Sequence, residues 1–225
     1  MDYDKLVLTL ASIFVGWLLA QFTGIAKDYL NNQRIKKCLL EELSELRAEL
    51  ERTLIIYSRQ LQIHALGGID NGVPIALSNH IFKNYYKDAV LSLNESQRIS
   101  FQMIHSLVAA VNTGIDEHRK TTKQMQEKHV QEGPKSITAL DGQLWGQEVI
   151  AEFSNAAVAI WHIRNHLANP AAPDLSRFTE HHEKYLKYLQ NVDDEIRKLI
   201  DGAKTMDRKD FEKIYNPEIF VKKVL

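Results

Sequence analysis

The 225-residue chain is long enough to bury a core of its own, and it carries 28 lysines and arginines, 29 aspartates and glutamates, and one cysteine. The single cysteine excludes a disulfide framework and a four-cysteine zinc site. The near-neutral charge argues against a dedicated nucleic-acid-binding protein, which is normally basic.

The first predicted element is a membrane anchor, because no charged residue interrupts the apolar run from Leu6 to Ala26. A helix over this run spans roughly 30 Å, the hydrocarbon thickness of a bilayer. The alternative is a signal peptide cleaved after Gly24-x-Ala26. The acidic N-terminal tail, the length of the run and the basic residues that follow favour a retained anchor. The positive-inside rule then places residues 27–225 in the cytoplasm and the N-terminus outside.

One face of the predicted anchor is made of small and hydroxyl-bearing residues. Six residues form it: Thr9, Ser12, Gly16, Ala20, Thr23 and Gly24. Small residues four apart let membrane helices approach closely, and hydroxyls can bond across the contact. The face predicts a homo-oligomer, and in a stronger version it lines a pore between several copies. The alternative is chance, because such residues are common in single-pass anchors.

The helix is predicted to continue through residues 27–66 as an amphipathic stalk, because no proline or glycine interrupts it. Leucines recur along it at steps of three and four: Leu39, Leu43, Leu46, Leu50 and Leu54. This stripe is typical of a coiled coil. Packing against later helices of the same chain explains it equally well, so both interpretations remain open.

Four further helices are predicted, over residues 77–93, 95–130 and 143–168 and from Asp174 or Ser176 to 202. A short helix over 207–215 and a tail over 216–225 follow. The predicted core faces include Ile99, Met103, Leu107, Ala110, Leu144, Phe178 and Leu186, and residues 118–131 are predicted to be solvated. No alternating apolar pattern indicates a strand. The predicted fold is all-α: residues 1–26 as tail and transmembrane helix, 27–66 as stalk, and 77–215 as a cytoplasmic bundle of four to five helices.

The most distinctive polar cluster lies in the fourth predicted helix. His162 and His166 are four residues apart, so both rings could reach one metal ion. A third ligand would come from His181, His182 or Glu183. The competing interpretation is a pair of ordinary histidines near a helix end, where a cation is favoured. We therefore predict no metal and no other cofactor.

Two arginine-centred patterns resemble parts of the motif of HEPN ribonucleases, in which a histidine follows an arginine by five positions. Arg164-Asn165 matches the start of the motif, but Asn169 stands where the histidine belongs. An amide cannot exchange a proton near neutral pH. Arg59 and His64 keep the spacing but lie at the end of the stalk. These four residues are the only catalytic candidates, and we predict that the chain is not an enzyme.

The predicted architecture resembles the HEPN-like membrane accessory proteins of type VI CRISPR systems and other bacterial antiviral loci. The resemblance is carried by residues 6–26 and by Arg164-Asn165 with Asn169. It implies an oligomeric pore that perturbs the inner membrane once phage RNA is detected. The expected partners are the lipid bilayer, further copies of the chain and a cytosolic protein, but not nucleic acid. The alternatives are a passive membrane-tethered scaffold and a membrane-bound HEPN-type ribonuclease.

Overall fold

The computed structural model describes residues 3–207, and every regular element in that part of the chain is helical. This confirms the all-α prediction. The α-helices are α1 Tyr3–Ala65, α2 His80–Ala89, α3 Glu95–Glu132, α4 Ala139–Ala168 and α5 Glu180–Lys204, with single 3-10 turns at Val90–Ser92 and Pro134–Ser136. The helix predicted over 207–215 lies outside the described residues except for residue 207. The tail over 216–225 lies entirely outside them.

Helix α1 is one uninterrupted helix of 63 residues. At 1.5 Å per residue it is roughly 95 Å long. It ends where Gly67 takes a φ of 77°, a left-handed conformation that glycine adopts without steric cost. The Gly67 N–H donates to the His64 carbonyl and the Gly68 N–H to the Ile63 carbonyl, so the last carbonyls of the helix are satisfied.

The two halves of α1 have different surroundings. From Val7 to Asn31 every residue is exposed except the half-buried Leu18. This part of the helix is long and apolar enough to cross a membrane, and no other element shields it. The second half buries a continuous stripe: Ile35, Leu39, Leu43, Leu46, Leu50, Leu54, Tyr57 and Leu61. The predicted stalk is therefore packed against later helices of its own chain from Ile35 onward.

Residues 35–204 share one apolar core, and we call them the packed region. The second half of α1 contacts α2, α4 and α5, and α3 packs on α4. The segment after α1 returns along it, since Gln60 donates to the Gly72 carbonyl and Lys36 to the Ser92 carbonyl.

Helix α3 runs parallel to α1, since His105 approaches Glu42 and His118 approaches Tyr57. Helix α4 runs antiparallel, since Arg164 pairs with Glu51 and Trp145 lies near His64. The packed region thus has an anchor end near Ile35 and a far end near Ala65.

The buried face of α3 differs from the predicted one. Ile99 is 49% exposed and Ala110 is exposed, while Phe101, Ile104 and Val108 lie in the core. The prediction followed the apolar residues alone, but the buried face of α3 also carries Ser100, His105, His118 and Thr122. The second half of α3 is mostly exposed, as predicted for residues 118–131, but His118 and Thr122 on its inner side are buried.

Three large side chains that were predicted to face the core are exposed instead. Leu144 is 49%, Leu186 47% and Phe178 91% exposed. Phe178 precedes α5, which begins at Glu180 rather than at Asp174 or Ser176. The Asp174 carboxylate accepts the Ser176 N–H at 2.9 Å, so these two residues form a local turn. Thr179 is the residue whose side chain caps α5.

Helix α4 begins four residues earlier than predicted, because Thr138 and Asp141 form a capping box. The Thr138 hydroxyl accepts the Asp141 N–H at 3.1 Å, and the Asp141 carboxylate accepts the Thr138 N–H at 2.9 Å. Two of the otherwise unpaired N–H groups of the first turn are satisfied in this way. These bonds lower the pKa of Asp141.

Candidate functional site

The six residues predicted to mediate association, which we call the anchor face, are all exposed: Thr9, Ser12, Gly16, Ala20, Thr23 and Gly24. Space is open at Gly16 and Gly24, where a β-carbon would meet no atom within 4 Å. The Ser12 hydroxyl donates to the Thr9 carbonyl at 2.8 Å, and the Thr23 hydroxyl to the Leu19 carbonyl at 2.7 Å. These donors are satisfied within the helix, which leaves their oxygens as acceptors on a surface that a second helix can approach closely.

The anchor face points away from the packed region. At about 100° per residue, its mean direction lies roughly 140–150° from that of the buried stripe of α1. Exposed charged residues of the second half continue the anchor face instead: Arg34, Glu41, Glu45 and Arg52. A second copy can therefore reach the anchor face without meeting the packed region of the first.

The four catalytic candidates are not brought together. Arg59 and His64 lie near the far end, where the Arg59 Nε is 3.9 Å from the Asp70 carboxylate. Arg164 lies in the half of α4 nearer the anchor end and pairs with Glu51 at 2.8 Å. The His64 ring instead packs near Trp145, with centroids 6.4 Å apart, and burial lowers its pKa.

Asn169, the remaining candidate, ends α4. Its side-chain amide donates to the Ala172 carbonyl at 2.7 Å, within the turn that leaves the helix. Arg164 and Asn169 thus occupy structural interactions, one between helices and one in a turn. The four candidates therefore provide no arginine and histidine that face a common space.

The two histidines proposed as metal ligands face different neighbours. His162 packs against Tyr185 of α5, with ring centroids 5.3 Å apart. His166 is fully buried, and its Nδ1 lies 2.8 Å from the Ser100 hydroxyl of α3. Within residues 3–207, no group of three or more histidine, cysteine, aspartate or glutamate side chains is arranged to hold a metal ion.

Glu42 forms a buried contact that the leucine stripe of the stalk does not reveal. Its carboxylate accepts the N–H groups of Ile81 at 2.6 Å and Phe82 at 2.9 Å. The carboxylate thereby caps α2, because the side chain of Asn79, the N-cap residue of this helix, makes no capping hydrogen bond. Burial raises the pKa of Glu42, and the two backbone bonds oppose that shift. The His105 ring completes the cluster; it stacks on the Phe82 ring with the two ring centroids 3.7 Å apart.

A second polar cluster lies between α1, α3 and α4. His118 is 1% exposed, and its Nδ1 is 3.5 Å from the Glu148 carboxylate. The Glu152 carboxylate occupies the space beside Gly114 that a β-carbon would fill. Burial raises the pKa values of Glu152 and of the neighbouring Tyr57. Gly114 was the only hint in the sequence, since a glycine inside a helix can mark a close approach.

The buried histidines predict a loss of stability on acidification. Burial lowers the pKa of His105 to about 3 and that of His166 to about 4, below the value of about 6.5 in an unfolded chain. Between these values the unfolded chain binds more protons, so stability falls as the pH drops below about 6.5. We expect losses of up to about 1.4 kcal/mol per pH unit for each histidine.

Denaturant unfolding between pH 5 and 8 would measure how steeply the free energy of unfolding changes with pH. The variant His105→Phe keeps a ring on Phe82 but cannot titrate, so its stability should depend less on pH. A slope identical to that of the unmodified chain would contradict the neutral, buried state of His105.

In comparisons with known proteins, no family model, curated protein or solved structure matches the chain. The described residues combine an exposed anchor face, a packed region on the other side of the same helix, and buried polar clusters within that region.

Proposed function

We propose that the chain is a single-pass membrane protein that self-associates through the anchor face, and that its assembly opens or disturbs the bilayer. The observation that carries the proposal is the continuity of α1 from Tyr3 to Ala65. Because one helix forms both the anchor and a wall of the packed region, the packed region fixes which way the anchor face points.

The geometry of α1 favours assembly with the anchors in the centre. The anchor face and the packed region lie on opposite sides of the helix, so copies can meet in the membrane while their packed regions lie outward. Large side chains occupy much of the remaining anchor surface and suit contact with lipid, for example Leu10, Phe14 and Trp17. The hydroxyls of Ser12 and Thr23 then lie between copies, where their oxygens can accept hydrogen bonds from water.

The basic residues after the anchor support an orientation with residues 27–225 in the cytoplasm. Among the described residues, no carboxylate lies within ion-pair distance of Lys27 or Arg34; Lys37 approaches Glu41 at 3.6 Å, and Lys36 donates to the Ser92 carbonyl. Such a juxtamembrane set suits the anionic inner leaflet of a bacterial inner membrane. Together with the architectural resemblance noted above, this orientation supports a role as an effector or accessory of antiviral defence.

Reconstitution of the full chain into liposomes that contain a fluorescent dye tests the proposal. The double variant Gly16→Leu/Ala20→Leu fills the open space on the anchor face, so we expect it to remove most of the dye release. Ala11→Leu is the matched control, because it makes the same small-to-large change on the opposite side of the helix, at about 100° per residue.

The same experiment separates the proposal from a passive scaffold. A scaffold needs only an anchor, so it predicts no dye release from the unmodified chain, or release that the double variant leaves unchanged. Equal losses in the double variant and in Ala11→Leu would also contradict a role for this face.

A further inference from the structure

A cavity of about 910 Å³ opens at the far end of the packed region, and we call it the far-end cavity. Its walls come from the end of α1 with residues 67–71, from the last turns of α3, and from residues 137–143 at the start of α4. The volume lies in the upper part of the range for ligand sites, roughly 300–1,000 Å³. About 57 Å of helix separates His64 on its wall from Ala26. A ligand therefore reaches the far-end cavity from the aqueous phase and not from the bilayer.

Part of the wall is fixed by close packing. The His64 ring occupies the space beside Gly146 that a β-carbon would fill, and its centroid lies 6.4 Å from that of the Trp145 ring. Ile69 and Met125 are half-buried and pack against the apolar core. This wall is therefore part of the packed region and is already formed before a ligand binds.

The walls carry no carboxylate, ammonium or guanidinium group. None of the fourteen described residues that line the far-end cavity is an aspartate, glutamate, lysine or arginine. The smaller cavity where α5 begins, of about 480 Å³, differs because Asp174 and Arg177 both line it. A charged ligand in the far-end cavity would lose water without gaining an opposite charge, which is unfavourable. The walls therefore favour an uncharged ligand.

The polar groups on the walls include three side-chain amides. Asn71, Gln126 and Gln143 carry them, and these amides form no hydrogen bond with another described residue. Each amide offers both donors and an acceptor, which are the groups that pair with the N–H and C=O of a peptide. The apolar side chains of the walls are all aliphatic: Ile69, Met125, Val130, Ile137 and Ala139. The walls therefore combine aliphatic surface with free amide groups.

The far-end cavity is accessible from solvent. Val130 on its wall is 81% exposed, and a β-carbon at Gly142 would meet no atom within 4 Å. An aliphatic group that covered Val130 would remove apolar surface from water, which favours binding.

We propose that the far-end cavity binds an uncharged, aliphatic peptide segment of another protein. Aliphatic side chains of the segment cover Val130 and the half-buried Ile69 and Met125, while its peptide groups exchange hydrogen bonds with the amides of Gln126 and Gln143. The inference goes beyond the proposed membrane function and does not rest on it, because no residue of the anchor face lines the far-end cavity.

Isothermal titration of the full detergent-solubilised chain at pH 7 with three forms of one tripeptide tests the proposal. The first form, acetyl-Leu-Ala-Leu-amide, is uncharged; the second ends in a free carboxylate, and the third begins with a free ammonium group. We expect the uncharged form to bind in the micromolar to millimolar range and each charged form to bind at least about fivefold more weakly. No binding of the uncharged form at millimolar concentration would overturn the proposal, as would equal or tighter binding of either charged form.

The variant Gly142→Leu tests the location, because it places a side chain in the open space of the far-end cavity. Leucine favours a helix more than glycine does, so α4 should be kept. We expect at least about tenfold weaker binding of the uncharged tripeptide. Gly202→Leu is the matched control, since Gly202 is also a helical glycine with open space and lies outside the cavity. Unchanged binding in Gly142→Leu, or an equal loss in both variants, would overturn the site.

The double variant Gln126→Met/Gln143→Met removes two amides but keeps unbranched side chains, and it should weaken binding about fivefold. An unchanged affinity would overturn the assignment of the peptide groups. A second copy of the chain is the competing occupant. In that case the tripeptide would not bind, and Gly142→Leu but not Gly202→Leu would lower the mass of the solubilised complex, which would overturn the proposal.

Discussion

Replacing Trp145 by alanine will lower the free energy of unfolding by about 3–5 kcal/mol. Trp145 is fully buried near the far end, where its indole N–H donates to the Thr122 hydroxyl at 2.9 Å. The indole also lies 5.3 Å from the His118 ring and 6.4 Å from the His64 ring. One side chain therefore joins α1, α3 and α4, and its removal leaves a cavity that these helices cannot fill without moving.

Denaturant unfolding of the full chain would measure this loss. Trp145→Phe should cost less, because it keeps one apolar ring and leaves a smaller cavity, although it also removes the bond to Thr122, which is worth about 1 kcal/mol. Leu91→Ala, at an exposed position, should change stability by less than about 0.5 kcal/mol. A loss below about 1 kcal/mol for Trp145→Ala would mean that the second half of α3 is not packed as described.

Several helix ends could be predicted from the sequence because they have local signals. Gly67 and Gly68 end α1, Asn94 and Gln97 form the capping box of α3, and Gly133 follows its last turn. These signals act over three or four residues, so they do not depend on the tertiary structure. The apolar stripe of α1 was equally clear, and all five of its predicted leucines are buried.

The faces of the later helices were harder to predict, because burial there depends on neighbours distant in sequence. Ile99 looked like a core residue but is half exposed, while His105 and His118 are buried. An imidazole is buried at low energetic cost only where it meets a polar partner or a stacked ring. His105 stacks on Phe82, and His118 lies beside Glu148. Those partners lie on other elements, so no spacing rule along α3 could identify them.

The candidate sites also differ in whether they depend on one helix or on contacts between elements that are distant in sequence. The six residues of the anchor face share one side of a single helix, so their common exposure could be predicted, while their role in association stays a prediction. The spacing between Arg59 and His64 resembled a motif but reflects no shared site, since spacing alone does not show which side chains meet. The cavity where α5 begins, lined by Trp161, His162 and residues 174–178, was not predicted, because its rim depends on the conformation of the loop before α5.

The direction of the anchor face relative to the packed region is the central claim, and insertions into α1 will test it. Two alanines between Tyr29 and Leu30, both exposed, would rotate the anchor face by about 200° relative to the packed region. The face would then lie on the same side as the packed region, which would block a second copy. Seven alanines would rotate it by about 700°, which nearly restores the original direction.

The most direct measurement is the mass of the detergent-solubilised complex for the unmodified chain and for both insertions. Alanine favours the helix, so neither insertion should break α1. We expect a multimer for the unmodified chain and for the seven-alanine variant, and a monomer for the two-alanine variant. A two-alanine variant with the same mass as the unmodified multimer, or an unmodified chain that is itself a monomer, would contradict assembly through the anchor face.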